Sequence, residues 1–119
     1  MPASFTEGVD LGDIISDEWN KSYSRKSFLA EGAVTKGSVL KDGTSPTTQK
    51  SVVVAAGTGA NAIALNDAAN GDTVYCLVRG PVVVKRAGLV YGSGATTNQK
   101  AATDVLLAAV GIVVSTSQA

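Results

Sequence analysis

The segment Gly57-Thr58-Gly59-Ala60-Asn61-Ala62 follows an apolar stretch, Ser51 to Ala56, and has the GxGxxA form of a dinucleotide-binding turn. In such a turn the glycines let backbone N–H groups approach a pyrophosphate, which sits at the positive end of a helix. The context opposes that chemistry. A dinucleotide unit needs a helix long enough to cross back over the sheet and a second strand ending in an acidic residue near the ribose. Here the next residues are cut by Asn66-Asp67 and Asn70-Gly71, and the following apolar run ends in Arg79. The segment reads as a plain glycine-rich turn.

Other catalytic constellations lack their parts. The chain has no histidine and one cysteine, Cys76, which lies inside the apolar run Thr73 to Val78. Hydrolytic triads therefore have no usual base, a thiol nucleophile has no imidazole partner, and no metal-ligand cluster can form. Cys76 is expected to be buried and inert, and a single cysteine forms no internal disulfide. Paired carboxylates occur as Asp17-Glu18, but adjacent side chains point in different directions and cannot flank a bond; they read as a solvated face. The basic spots Lys21, Arg25-Lys26 and Lys85-Arg86 are short and have no stacking platform beside them, so nucleic acid is not an expected partner. The chain is expected to need no cofactor, to take no small-molecule substrate and to be no enzyme.

The elements that must carry whatever function exists are mostly strands. Glycine and turn pairs at Gly32, Gly37, Asp42-Gly43, Gly57, Gly59, Asn70-Gly71, Gly80-Pro81, Gly88, Gly92 and Gly94 cut the chain into pieces too short for most helices. Strands are predicted at Ser38–Lys41, Gln49–Ala56, Ala62–Leu65, Thr73–Arg79, Val82–Arg86 and Ile112–Ser115. In Thr73–Val78, alternation places Val74, Cys76 and Val78 on one face and Thr73, Tyr75 and Leu77 on the other. One helix is signalled over Asn98–Ala109: Thr96 and Gln99 have capping-box spacing, and Gly111 stands where a C-terminal cap belongs. Its predicted buried face is Ala102, Leu106, Ala109 and Val110, with Lys100 and Asp104 paired on a polar face.

With 119 residues and a 45% apolar content rich in Ala and Val, the chain suits one domain with a thin core of small and β-branched side chains. Burying further surface in an oligomer would stabilise it. No signal-peptide pattern and no apolar run of membrane-spanning length is present, so a soluble protein with no membrane partner is expected.

The zero net charge hides a division. Residues 1–20 hold five acids (Glu7, Asp10, Asp13, Asp17, Glu18) and no base, whereas the remainder holds all ten Lys and Arg against five acids. Among the acids stand Phe5, Val9, Leu11, Ile14, Ile15 and Trp19. Ordering each residue costs about 1–2 kcal/mol, and each buried anchor returns about 1.5–3 kcal/mol, so six anchors do not offset twenty residues. The segment, residues 1–25, reads as an arm on a body of residues 26–119. It needs a surface: its own body, a neighbouring subunit, or another protein to which it adds a strand. Its conformation, helix or added strand, stays open.

Phe5-Thr-Glu-Gly8, Leu11-Gly-Asp-Ile-Ile-Ser-Asp-Glu18, Ser24-Arg25, Gly37-Ser-Val-Leu-Lys41, Ala62-Ile-Ala-Leu65, Gly71-Asp72, Gly94-Ala-Thr96, Gln99-Lys-Ala-Ala102 and Leu106-Leu-Ala-Ala-Val-Gly-Ile-Val-Val114 together resemble the lambda-type head decoration proteins of tailed bacteriophages. The resemblance runs over nearly the whole chain. It implies an α+β, mostly β fold: a small β-tulip or barrel-like domain with one C-terminal helix and an extended N-terminal arm. It also implies a capsid-stabilising homotrimer on the outer surface of the expanded head, made in the host cytoplasm and bound to the major capsid protein. The arm is then mobile in the free protein and orders on the capsid, with Phe5, Val9, Leu11, Ile14, Ile15 and Trp19 as the docking residues. A structural module of a virion fibre or tail, or an adhesin-like surface domain, is the alternative.

Overall fold

Short strands of alanine and valine between glycine turns bury both faces most economically by closing on themselves and then covering one outer wall. The computed structural model, which describes residues 14–18, 24–45 and 47–115, has this plan. Its elements are β1 (Ile15–Glu18), β2 (Arg25–Ala30), β3 (Val39–Asp42), β4 (Gln49–Val52), β5 (Ala62–Ala64), β6 (Thr73–Leu77), β7 (Val82–Lys85), a 3₁₀ turn (Arg86–Gly88), α1 (Thr97–Ala108) and β8 (Ile112–Ser115). The class is α+β, mostly β, with one C-terminal helix.

Strands β2, β4, β3, β5 and β6 close a barrel in that order, β6 returning to β2 through antiparallel pairs from Arg25–Leu77 to Leu29–Thr73. Phe28, Ala30, Leu40, Ala62, Ala64, Val74 and Cys76 form a buried cluster with Val34 and Ala68. A five-stranded barrel leaves room for little more than methyl-sized and branched side chains, which accounts for the alanines.

A second sheet, ordered β1-β7-β8, covers one side. β1 runs antiparallel to β7, and β8 runs parallel to β7, so the chain crosses over through α1 between them. The second core lies here: Val39, Ile63 and Leu77 from the barrel strands meet Ile14, Val82, Val84, Leu107 and Ile112. Strand β6 serves both cores, with Val74 and Cys76 in one and Leu77 in the other, while Thr73 and Tyr75 face solvent. The alternation read from the sequence is thus correct, and its Leu77 face is also covered.

The helix has the capping box that Thr96 and Gln99 signalled: Thr96 N donates to Gln99 Oε1 at 2.9 Å, and Gln99 N donates to Thr96 Oγ1 at 3.2 Å. Gly111 follows with φ +88°, a left-handed turn open to glycine. The predicted buried face is displaced. Thr103 and Leu107 are the buried helix residues, Ala102, Leu106 and Ala109 are exposed, and only Val110 of the four touches the core. Thr103 turns inward because its hydroxyl donates to Gln99 O at 2.9 Å, which satisfies the polar atom within the helix. Asp104 likewise pairs across the fold, with Arg86 and Tyr91, rather than with Lys100.

Two strands escaped the sequence reading. In β2, Phe28 and Ala30 point inward while Leu29 is 44% exposed, which blurs the alternation. In β1, Ile-Ser-Asp-Glu has poor strand propensity and is made a strand by its neighbour β7. Ile15–Glu18, within the segment the sequence reads as the arm, therefore form a strand of the second sheet, Ile14 packs in its core, and Arg25, after Ser24, opens the barrel's strand β2.

Candidate docking site

The acidic N-terminal segment enters the body through β1. Ile15 pairs with Val84, Asp17 with Val83 and Glu18 with Val82, with a bulge between Ile15 and Asp17. Ahead of the strand, Ile14 O accepts a 2.6 Å hydrogen bond from Lys85 N, and the Ile14 side chain is 1% exposed within the second core. Its Cδ1 lies beside Gly37, whose φ of +90° and close approach to Gly88 O leave no room for a side chain. Ile15 is half-buried against the same cluster.

At the other end of β1 the Glu18 carboxylate is held from two sides. Arg25 donates through Nε to Oε2 at 3.0 Å and through a terminal nitrogen to Oε1 at 2.6 Å, a bidentate pair, and Ser24 Oγ donates to Oε2 as well. The side chains of Glu18 and Arg25 are 3% and 16% exposed. A carboxylate removed from water to this degree is stable only with its lone pairs satisfied, and the guanidinium fork does that at fixed geometry. Glu18 is thus an interior clasp, a correction to its reading as part of a solvated face. Sequence spacing could not find it, because the partners lie six and seven residues away, where no single helix or strand brings both against Glu18. The Ser24-Arg25 step was the visible signal.

Of the six anchors read from the sequence, Ile14 and Ile15 are placed together, on the protein's own core. Ile14, sealed at 1% exposure, offers no surface to a partner. Phe5, Val9, Leu11 and Trp19 lie outside the described residues.

The remaining polar clusters hold the fold together. Lys50, 4% exposed, extends its ammonium to Asp42 Oδ1 at 2.8 Å and Asn61 Oδ1 at 3.0 Å, 4.7 Å from the Phe28 ring centroid. The hydrogen bonds from Lys50 and Asn61 hold the Asp42 carboxyl below its usual range. Arg86 reaches Asp104 Oδ2 at 2.5 Å and Tyr91 Oη at 3.3 Å, while Tyr91 donates to Asp104 Oδ1 at 2.6 Å, tying α1 to the 3₁₀ turn. Burial, followed by the bond to Asp104, pushes the Tyr91 hydroxyl up to about 12. Burial likewise pushes the Cys76 thiol up to about 12, which leaves it without thiolate at neutral pH.

The glycine-rich turn is settled by its backbone. Gly57 and Gly59 adopt φ of +70° and +78°, and the chain continues into the buried strand β5, so no helix N-terminus stands there for a phosphate. Among the described residues no group of three or more His, Cys, Asp or Glu is placed to hold a metal ion, and no helix is long and apolar enough to cross a membrane.

The model of one protein family, described as bacteriophage lambda head decoration protein D, matches residues 4–112. No curated protein matches the chain.

Proposed function

The chain belongs to the bacteriophage lambda head decoration protein D family, whose members decorate the phage capsid, and we propose that it is a non-enzymatic cementing protein of the head. In this reading it binds the major capsid protein on the outside of the expanded head as a homotrimer and reinforces the shell against the pressure of packaged DNA. The observation that carries the reading is the extent of the family match, which includes the acidic segment from residue 4 together with the β-rich body as far as Ile112.

The arm is the docking element, and its working part lies ahead of Ile14: Phe5, Val9 and Leu11 as apolar anchors, with Glu7, Asp10 and Asp13 setting register against basic capsid loops. Ile15 lies at its root, in β1, and Trp19 follows in sequence as a further docking residue. Three arms on a trimer grip three sites, and linked weak contacts raise avidity by roughly 10² to 10⁴ without a new contact. A body with a β-tulip form and a thin core gains stability from trimer burial. Chemistry is not required, since holding a lattice is a matter of binding free energy alone.

Undecorated expanded heads incubated with the protein test this. Saturable uptake at a fixed ratio to capsid subunits, with greater resistance of the heads to heat, is the expected result; no uptake would contradict the reading.

A further inference from the structure

We infer that Glu18 is a positioning residue that fixes the root of the arm: through Ser24 and Arg25 it locks β1 onto the body and so sets where the N-terminal docking segment is attached. The inference rests on the docking role proposed for that segment. The Glu18 side chain is 3% exposed, so the influence proposed for it on docking passes through β1.

Three observations converge on this. The strand pairs with β7 over only a few residues and is interrupted by a bulge, so the ladder alone is a weak hold. Each end of the strand then carries a separate fastening. Ile14 is buried in the core ahead of it, beside Gly37, and Glu18 is clasped by Ser24 and Arg25 at its end. The second fastening ties β1 to the start of β2, which belongs to the barrel, so the clasp joins the two layers as well as the two strands.

The consequence is a matter of tether length. Between Phe5, the outermost proposed anchor, and the point of attachment lie 8 residues with β1 held at Ile14 and 18 with β1 released to Ser24. Local concentration at a docking site falls with about the −3/2 power of tether length, so release lowers it roughly 3-fold per arm and more than about 10-fold for three arms acting together. A fixed root also fixes the attachment point, because β1 runs antiparallel to β7 and Ile14 O is held by Lys85 N, next to the 3₁₀ turn at Arg86–Gly88.

Hydrogen exchange on the free full-length protein tests the clasp without any capsid. In Glu18→Gln and in Arg25→Lys, which keeps the charge but loses the fork, the amides of Ile15–Glu18 and the Lys85 amide that donates to Ile14 O should exchange at least 10-fold faster. The Val74–Leu77 amides of β6 should keep their protection. Unchanged exchange in β1, or acceleration spread equally over β6, would overturn the clasp. On undecorated heads the same variants should bind more than about 10-fold more weakly, and loss of β1 protection with undiminished affinity would overturn the link between root and docking. A chain lacking residues 1–13 separates the two ideas: if it binds heads as well as the full chain, the arm reading fails, whatever the exchange data show for Glu18.

Discussion

Thr103 sits directly over Gly57: a Cβ built on Gly57 would fall 1.9 Å from Thr103 Oγ1 and 3.0 Å from its Cβ. The contact explains a glycine that first suggested nucleotide chemistry, since helix α1 rests on this turn and needs the backbone there bare. Gly57→Ala combines a left-handed φ of +70° with overlap, and should cost about 2–4 kcal/mol. Urea unfolding measures this, and the cost should shrink in a Thr103→Ala background, because the two residues share one space.

Ile14→Ala should destabilise the free protein by about 2–4 kcal/mol, because a 1% exposed side chain leaves a cavity between β1, β7 and the barrel wall. The melting temperature should fall by roughly 10 °C. Leu11→Ala is expected to leave the melting temperature unchanged and to weaken uptake on heads. Similar melting curves for wild type and Ile14→Ala would contradict the placement of Ile14 in the core.

Alkali should weaken the fold through Tyr91. Its hydroxyl ionises near 10.0 in the unfolded chain and at about 12 when folded, chiefly from burial. The folded state therefore holds the proton more tightly, and that stabilisation is complete below pH 10 and disappears between pH 10 and 12. Denaturation curves across this range should show a smaller loss in Tyr91→Phe, which has no phenolic proton.

Acid acts through Asp42 in the opposite sense. Lys50 and Asn61 lower its folded value, so its contribution is present above the unfolded value near 3.8 and fades as pH falls through the lower folded one. Because the Asp42 side chain is 49% exposed, the effect is modest and screened by salt. Asp42→Asn should cost about 1 kcal/mol at pH 7 and should flatten the acid limb of stability below pH 4.

Cys76, 0% exposed inside the barrel with its thiol raised to about 12, should resist alkylation at pH 8 in the native protein and react fully in denaturant. Native labelling at the rate of a free thiol would place it elsewhere.

Where apolar periodicity and turn chemistry agreed, the sequence was a good guide. The runs Val39–Asp42, Ala62–Ala64, Thr73–Leu77, Val82–Lys85 and Ile112–Ser115 emerged within a residue or two, as did the capping box at Thr96 and Gln99. Long-range pairing was hidden. β1 is a strand because β7 lies beside it, Glu18 is an interior residue because Arg25 returns to it, and Thr103 is buried because Gly57 makes room. None of these leaves a periodic trace, since each depends on residues that meet only after the chain reverses. Residue type alone cannot separate Ile14, used by the fold, from Leu11, left for a partner in the proposed reading.

The most direct measurement is the affinity for undecorated expanded heads of the full chain and of a chain lacking residues 1–13, which keeps Ile14, β1 and the Glu18 clasp. The shortened chain is expected to melt and self-associate as the full chain does and to lose head binding by at least about 100-fold, on the order of the avidity carried by linked contacts. Equal binding by the two chains would contradict it.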